Sequence, residues 1–177
     1  LRRRSTPVEA LDPILPARID ALTHRVLTEA HLRGKALATA ESCTGGLLAS
    51  LLTDLPGCSH VFERGFVTYT NEAKTELLGV DPKILSGPGP VSHECAEAMA
   101  AGALARSRAN VAVSVTGWTE GVGDPDKPAG LVYLGCAANG RAPNVRELRL
   151  RDIGRAKVRM ACLEAGLEMF VEALAGR

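Results

Sequence analysis

The run from Ala36 to Leu52, Ala-Leu-Ala-Thr-Ala-Glu-Ser-Cys-Thr-Gly-Gly-Leu-Leu-Ala-Ser-Leu-Leu, constrains the fold more than any other part of the 177-residue chain. A short apolar run passes through small polar residues and two glycines and resumes at Leu47, Leu48, Leu51 and Leu52, which is helical spacing. The pattern predicts a strand over 36–40, a tight turn and a helix over 45–53. At such a turn the first N–H groups of the helix lack partners and point, with the positive end of the helix dipole, above the strand. An anion or a developing oxyanion is favoured there. An N-cap at Ser42 or Thr44 followed by a glycine turn accounts for the pattern without chemistry. A cap needs only one such side chain, whereas Ser42, Cys43 and Thr44 stand together beside Glu41.

The elements that follow place this turn in a layered α/β fold. Residues 1–16, with Arg2-Arg3-Arg4 and three prolines, read as a flexible tail before a domain spanning 17–177. Ile19, Leu22, Val26, Leu27 and Ala30 predict an amphipathic helix over 17–33. A second strand is expected over 61–69, a short helix over 71–79 with Asn71 near its cap, and a helix over 92–107 whose small-residue face packs on a sheet. The apolar run Val111–Thr116 reads as a central strand covered on both faces. Two more strands, over 130–137 and 145–150, and a final helix over 154–174 complete a three-layer α/β sandwich. Its sheet is mixed and mostly parallel, with helices on both faces.

Composition narrows the function. Aromatic residues are 3% of the chain and the formal net charge is +1, which argues against base stacking or a long phosphate backbone as the main partner. No nucleic acid is expected. Five widely spaced cysteines without a C-x-x-C pair read as reduced thiols, with no structural zinc. No apolar run approaches the roughly 20 residues needed to span a bilayer, and no signal-peptide core opens the sequence. No membrane partner and a cytoplasmic location are the corresponding expectations.

Three loops fall at expected strand ends: 41–46, 69–74 and 116–127. The last is long for a compact domain, and ligands in open α/β sheets bind at the carboxyl ends of strands. Two blocks in these loops, Ala-Glu-Ser-Cys-Thr-Gly-Gly over 40–46 and Tyr-Thr-Asn-Glu-Ala-Lys over 69–74, resemble the CinA C-terminal domain family. The segments 89–117 and 126–135 are similar to it as well. Characterised members of that family are nicotinamide-nucleotide amidohydrolases, and the chain resembles their stand-alone form.

The resemblance implies hydrolysis of the carboxamide of nicotinamide mononucleotide, without cofactor or metal, in NAD recycling. It implies Ser42 as nucleophile and Lys74 as base, with Tyr69 close to both. A serine hydroxyl needs such a base, and a lysine serves only when burial or nearby positive charge lowers its pKa. Substrate contacts are expected from Glu41, Thr44, Gly45, Gly46, Thr116, Gly117, Arg155 and Arg159, the last two being four apart on one helical face and suited to phosphate. Amides around Thr44–Gly46 are expected to hold either the oxyanion or the phosphate. Taken singly, Lys74 reads as an exposed helix lysine, Tyr69 as a strand-end tyrosine and the arginines as solvated side chains. Their joint occurrence favours the site.

Two stretches depart from the family pattern: at 152–159 Ile153 precedes the glycine and Ala156 follows the first arginine, and the clearer departure follows the central strand. Trp118-Thr119-Glu120-Gly121 replaces the usual I-A-G-P after Thr116-Gly117, and the stretch before Lys127-Pro128 is one residue short. A bulky ring and a carboxylate at a pocket rim alter its shape and repel a phosphate. Two further readings follow: a non-catalytic nucleotide-binding or regulatory protein, and an amidohydrolase for a different anionic amide. Cys43 is a rival nucleophile, since a thiol at a helix N-terminus has a lowered pKa. The small-residue helix is compatible with a homodimer.

Overall fold

A computed structural model describes residues 15–121 and 125–176. The expected tail lies almost wholly outside the described residues, as do three residues of the long loop. Eleven elements follow in order: α1 (Ala17–Leu32), β1 (Leu37–Glu41), α2 (Leu47–Leu51), β2 (Phe62–Val67), α3 (Asn71–Leu78), α4 (Pro82–Ser86), α5 (His93–Ala105), β3 (Val111–Gly117), β4 (Leu131–Ala138), β5 (Asn144–Arg149) and α6 (Arg155–Ala175). The five strands form one sheet in the order β2-β1-β3-β4-β5. β1 pairs parallel with β2 and β3, and the β3–β4 and β4–β5 pairs are antiparallel. Four strands therefore run one way and β4 runs against them.

Strand alternation divides the apolar side chains between two layers. Val111, Val113 and Val115 of β3 and Val132 and Leu134 of β4 face the core built with α1, α2 and α6. Ala38, Ala40 and Ala112 face the smaller core of α3 and α5. The small residues on that second face let α5 approach closely. Ser114 Oγ donates to the Ala96 carbonyl at 2.6 Å and accepts from the Gly135 amide at 3.1 Å. A Cβ at Gly135 would sit 2.3 Å from the Ala96 oxygen, so no other residue fits there.

Two local assignments differ from the sequence reading. The cap of α3 is Thr70, whose hydroxyl accepts from the Ala73 amide at 3.1 Å, so Asn71 is the first helical residue. The connection after Asp81 contains α4, with Asp81 capping the Lys83 amide and Pro82 at the first helical position. A five-residue helix shows no measurable hydrophobic period, which is why it is invisible to spacing. No helix among the described residues is long and apolar enough to cross a membrane.

Candidate active site

β1, β2 and β3 run parallel, so their carboxyl ends meet at one edge of the sheet. There a cleft of about 380 Å³ opens, lined by residues that follow each of the three strands. Ser42, Lys74, Tyr69, Thr116, Gly117 and Arg155 line it. Glu41, Thr44, Gly45, Gly46 and Arg159 do not.

The excluded residues build the turn instead. Glu41 is fully buried, and its carboxylate accepts from the amides of Gly46 at 3.1 Å, Leu48 at 3.0 Å and Ala49 at 2.8 Å. This carboxylate closes the start of α2 from inside, so the expected substrate contact gives way to a capping role. Gly45 and Gly46 adopt φ of 63° and 94°, the left-handed region that lets the chain reverse in two residues. Their amides are occupied: that of Gly45 donates to the Ser42 carbonyl at 3.1 Å, and that of Gly46 reaches Glu41. Neither amide is open to phosphate or oxyanion. Thr44 is fully buried, and its carbonyl accepts from the Arg159 guanidinium at 2.6 Å. Arg159 thus clamps the turn from α6 rather than facing the cleft.

Lys74 is among the largest fully buried side chains of the described residues, only 1% exposed. Its ammonium nitrogen lies 3.1 Å from Ser42 Oγ, 2.8 Å from the Thr68 carbonyl and 3.5 Å from the Tyr69 carbonyl. Burial pushes the Lys74 pKa below its ordinary value. In the neutral amine, two N–H bonds point at the two carbonyls and the lone pair remains for the Ser42 hydroxyl. Thr68 is held for this purpose by its own amide, which donates to the Glu41 carbonyl at 2.7 Å and prolongs the β1–β2 ladder past its end.

Tyr69 enters the site in two parts. Its carbonyl meets Lys74, while the ring is 64% exposed at the cleft mouth. There the phenol bonds with Arg155 and holds that guanidinium above its ordinary pKa. Arg155 also donates to Thr119 Oγ1 at 2.8 Å and lies 3.7 Å from a Glu120 carboxylate oxygen. Thr116 Oγ1 donates to the Pro90 carbonyl at 2.6 Å. Cys43 also lines the cleft; its thiol is hydrogen-bonded to that of Cys162, which lowers the Cys43 pKa, and all five cysteines are free.

Thr70, Asn71, Pro90 and Val91 also line the cleft and escaped sequence reasoning. Pro90 closes the glycine- and proline-rich loop 87–90, and its turn composition was the available signal. Among the described residues no three metal-ligating side chains gather.

Fold and site define an α/β protein with a buried serine–lysine pair on a diglycine turn, at the edge where three parallel strands end. The chain belongs to the CinA C-terminal domain family, whose model matches residues 19–174. It is 55% identical over 119 residues to a putative competence-damage inducible protein of Symbiobacterium thermophilum, covering 66% of this chain and 27% of that protein. It is 56% identical over 104 residues to a CinA-like protein of Akkermansia muciniphila, covering 58% and 25%. The chain spans about a quarter to a third of the length of the curated relatives it matches. The crystal structure of competence/damage inducible protein CihA from Agrobacterium tumefaciens superposes with a TM-score of 0.87 at 47% identity, covering 91% of this chain and 98% of that one. A competence damage-inducible protein A (ComA) from Klebsiella pneumoniae follows at 0.82 and 31%, covering 89% and 97%.

Proposed function

We propose that the chain hydrolyses the carboxamide of nicotinamide mononucleotide to nicotinate mononucleotide and ammonia, with Ser42 as nucleophile and Lys74 as general base. The observation that carries this reading is the 3.1 Å contact between Lys74 Nζ and Ser42 Oγ, made by an amine that burial drives toward neutrality. An exposed lysine would be protonated and useless as a base. Support also comes from the carbonyls of Thr68 and Tyr69, which orient the amine so that its lone pair meets the hydroxyl.

In this reading Ser42 Oγ attacks the carboxamide carbon while its proton passes to Lys74. The C–O bond forms, the C=O π pair moves onto oxygen, and the amides of Cys43 and Thr44 are those of the turn left to meet the charge. Collapse expels ammonia with the proton from Lys74 and leaves an ester on Ser42. Water, deprotonated by Lys74, then attacks the ester and releases the carboxylate and the serine. Arg155 at the mouth takes the phosphate, as a guanidinium fork suits its geometry.

Ammonia release from nicotinamide mononucleotide, with Ser42→Ala alongside and a chelator present, tests the reading. Wild-type activity that is indifferent to chelator, lost by at least about a thousandfold in Ser42→Ala and largely kept in Cys43→Ser supports it. Binding without ammonia from folded wild-type protein points to a nucleotide-binding role, and ammonia from another amide alone points to a changed substrate.

A further inference from the structure

We propose that Trp118 is the platform on which the ligand's flat, positively charged ring rests, a specificity determinant for a zwitterion with a cationic aromatic head and an anionic tail. The inference rests on the amidohydrolase reading for the ligand's identity but on separate residues for its support. Trp118 is the only tryptophan of a chain with six aromatic side chains, and its indole lines the cleft instead of filling the core. The three phenylalanines do pack in or against the core, Phe170 fully buried and Phe62 and Phe66 partly so. Trp118, by contrast, is a large half-buried ring on the cleft wall.

The backbone fixes this ring more firmly than a loop residue would be. Past the end of β3, the Trp118 amide donates to the Leu131 carbonyl at 2.9 Å and its carbonyl accepts from the Gly130 amide at 2.7 Å. Gly130 and Leu131 thus oppose Trp118 together, a bulge at the end of the antiparallel β3–β4 pairing. Trp118 and Thr116 line the same cleft as Ser42 and Lys74. Gly117 between them has no room for a side chain, since a Cβ would come within 2.7 Å of Val132. The position is thus a rigid extension of the central strand.

The electrostatics select the kind of ring. An indole face is the best aromatic partner for a cation, and a pyridinium carries its charge in the plane that would stack. On the same rim Arg155, bonded to Thr119 next to Trp118, offers a guanidinium to an anion. A ligand that spans the two meets its cationic end at Trp118 and its anionic end at Arg155.

Because Trp118 is the sole tryptophan, its fluorescence reports the contact directly. Nicotinamide mononucleotide, its benzene-ring isostere without the ring charge, and ribose 5-phosphate are titrated against the wild-type protein. The expected result is saturable quenching by the first, binding roughly three- to tenfold weaker for the uncharged isostere, and competition without quenching by ribose 5-phosphate. In parallel, Trp118→Leu should raise KM about tenfold with kcat within about twofold, and Trp118→Phe should restore most of it, both judged on protein with wild-type far-ultraviolet dichroism. Equal affinity for the charged and uncharged rings, or an unchanged KM in Trp118→Leu, overturns the platform. The two readings fail separately. Ring-selective quenching without ammonia release keeps the platform and removes the amidohydrolase; ammonia release with a KM indifferent to position 118 does the reverse.

Discussion

The two walls of the cleft are built on opposite principles. On one side Ser42 and Lys74 are buried, and their support is a closed set of short hydrogen bonds running through Glu41, Thr68 and the α2 turn. On the other side Arg155, Glu120 and Tyr69 are exposed and held by one another at the mouth. Interactions in the first set act at low effective dielectric and lose a great deal when a partner is removed; those in the second are screened by water and salt. Bond-making groups need the first environment. Groups that only recognise a ligand work in the second, where sequence can change without unfolding the protein.

The comparison is broken most severely from the buried side. Lys74→Met should lower kcat by about a hundred- to ten-thousandfold with little change in KM, because base catalysis acts in the transition state. Its stability should lack a pH dependence that the wild type shows. The folded-state pKa of Lys74 lies below the unfolded value, so between those two pKa values the unfolded chain binds more protons and wild-type stability rises with pH. Once pH is below both values, the amine is charged in both states and the full burial penalty remains. The melting temperature of the wild type should therefore fall relative to Lys74→Met as pH is lowered through that window, and a difference independent of pH would mean that the buried amine is not neutral. Activity should rise on the same limb, as the base loses its proton.

Glu41→Gln is the next largest effect and separates support from chemistry. The carboxylate accepts three amides with two oxygens, and a carboxamide offers one oxygen and a donor that faces an N–H. A loss of about 2–3 kcal/mol is expected in urea unfolding. The rate should drop as well, because the turn that carries Ser42 shares this anchor. Unchanged stability would show that the turn is held by its glycines and Arg159 instead.

These roles explain what the sequence discloses and what it withholds. The sheet, its central strand and the crowding at the Ser42 turn follow from local pattern, since periods of two and 3.6 are set by the backbone. The proximity of Lys74 to Ser42 is legible only through the family blocks, for nothing local to Asn71-Glu72-Ala73-Lys74 requires a buried amine. Glu41 reads equally as a ligand-facing strand end, because its partners, the α2 amides, become visible only when the turn is folded. Arg155 and Arg159 share one helical face, yet one turn of helix, about 5.4 Å, separates the cleft mouth from the underside of the turn. Their division of labour is a matter of where α6 lies against the sheet. Such placement has no sequence signal.

The exposed wall answers more gently. Arg155→Ala should raise KM for a phosphate-bearing substrate about tenfold, leave kcat nearly unchanged and alter stability by less than about 0.5 kcal/mol, as befits a half-exposed side chain. Arg155→Lys should recover only part of the loss, since an ammonium lacks the fork that reaches Thr119 and Tyr69 together. A fall in kcat of comparable size would move Arg155 from recognition into the reaction.

Glu120→Gln carries the smallest expected effect and the sharpest sign. The Glu120 carboxylate lies 3.7 Å from Arg155, with both side chains largely in solvent, so their pairing contributes little to stability. It does place a negative group where an incoming phosphate must displace or repel it. Removing that charge should lower KM for the phosphate-bearing nucleotide about two- to threefold, with kcat unchanged, and the gain should shrink as salt screens the repulsion. KM measured in both proteins across a salt series checks this. A KM that rises instead would give Glu120 a direct contact with the substrate, and the exposed wall would then resemble the buried one, with a side chain whose partner is supplied by the ligand.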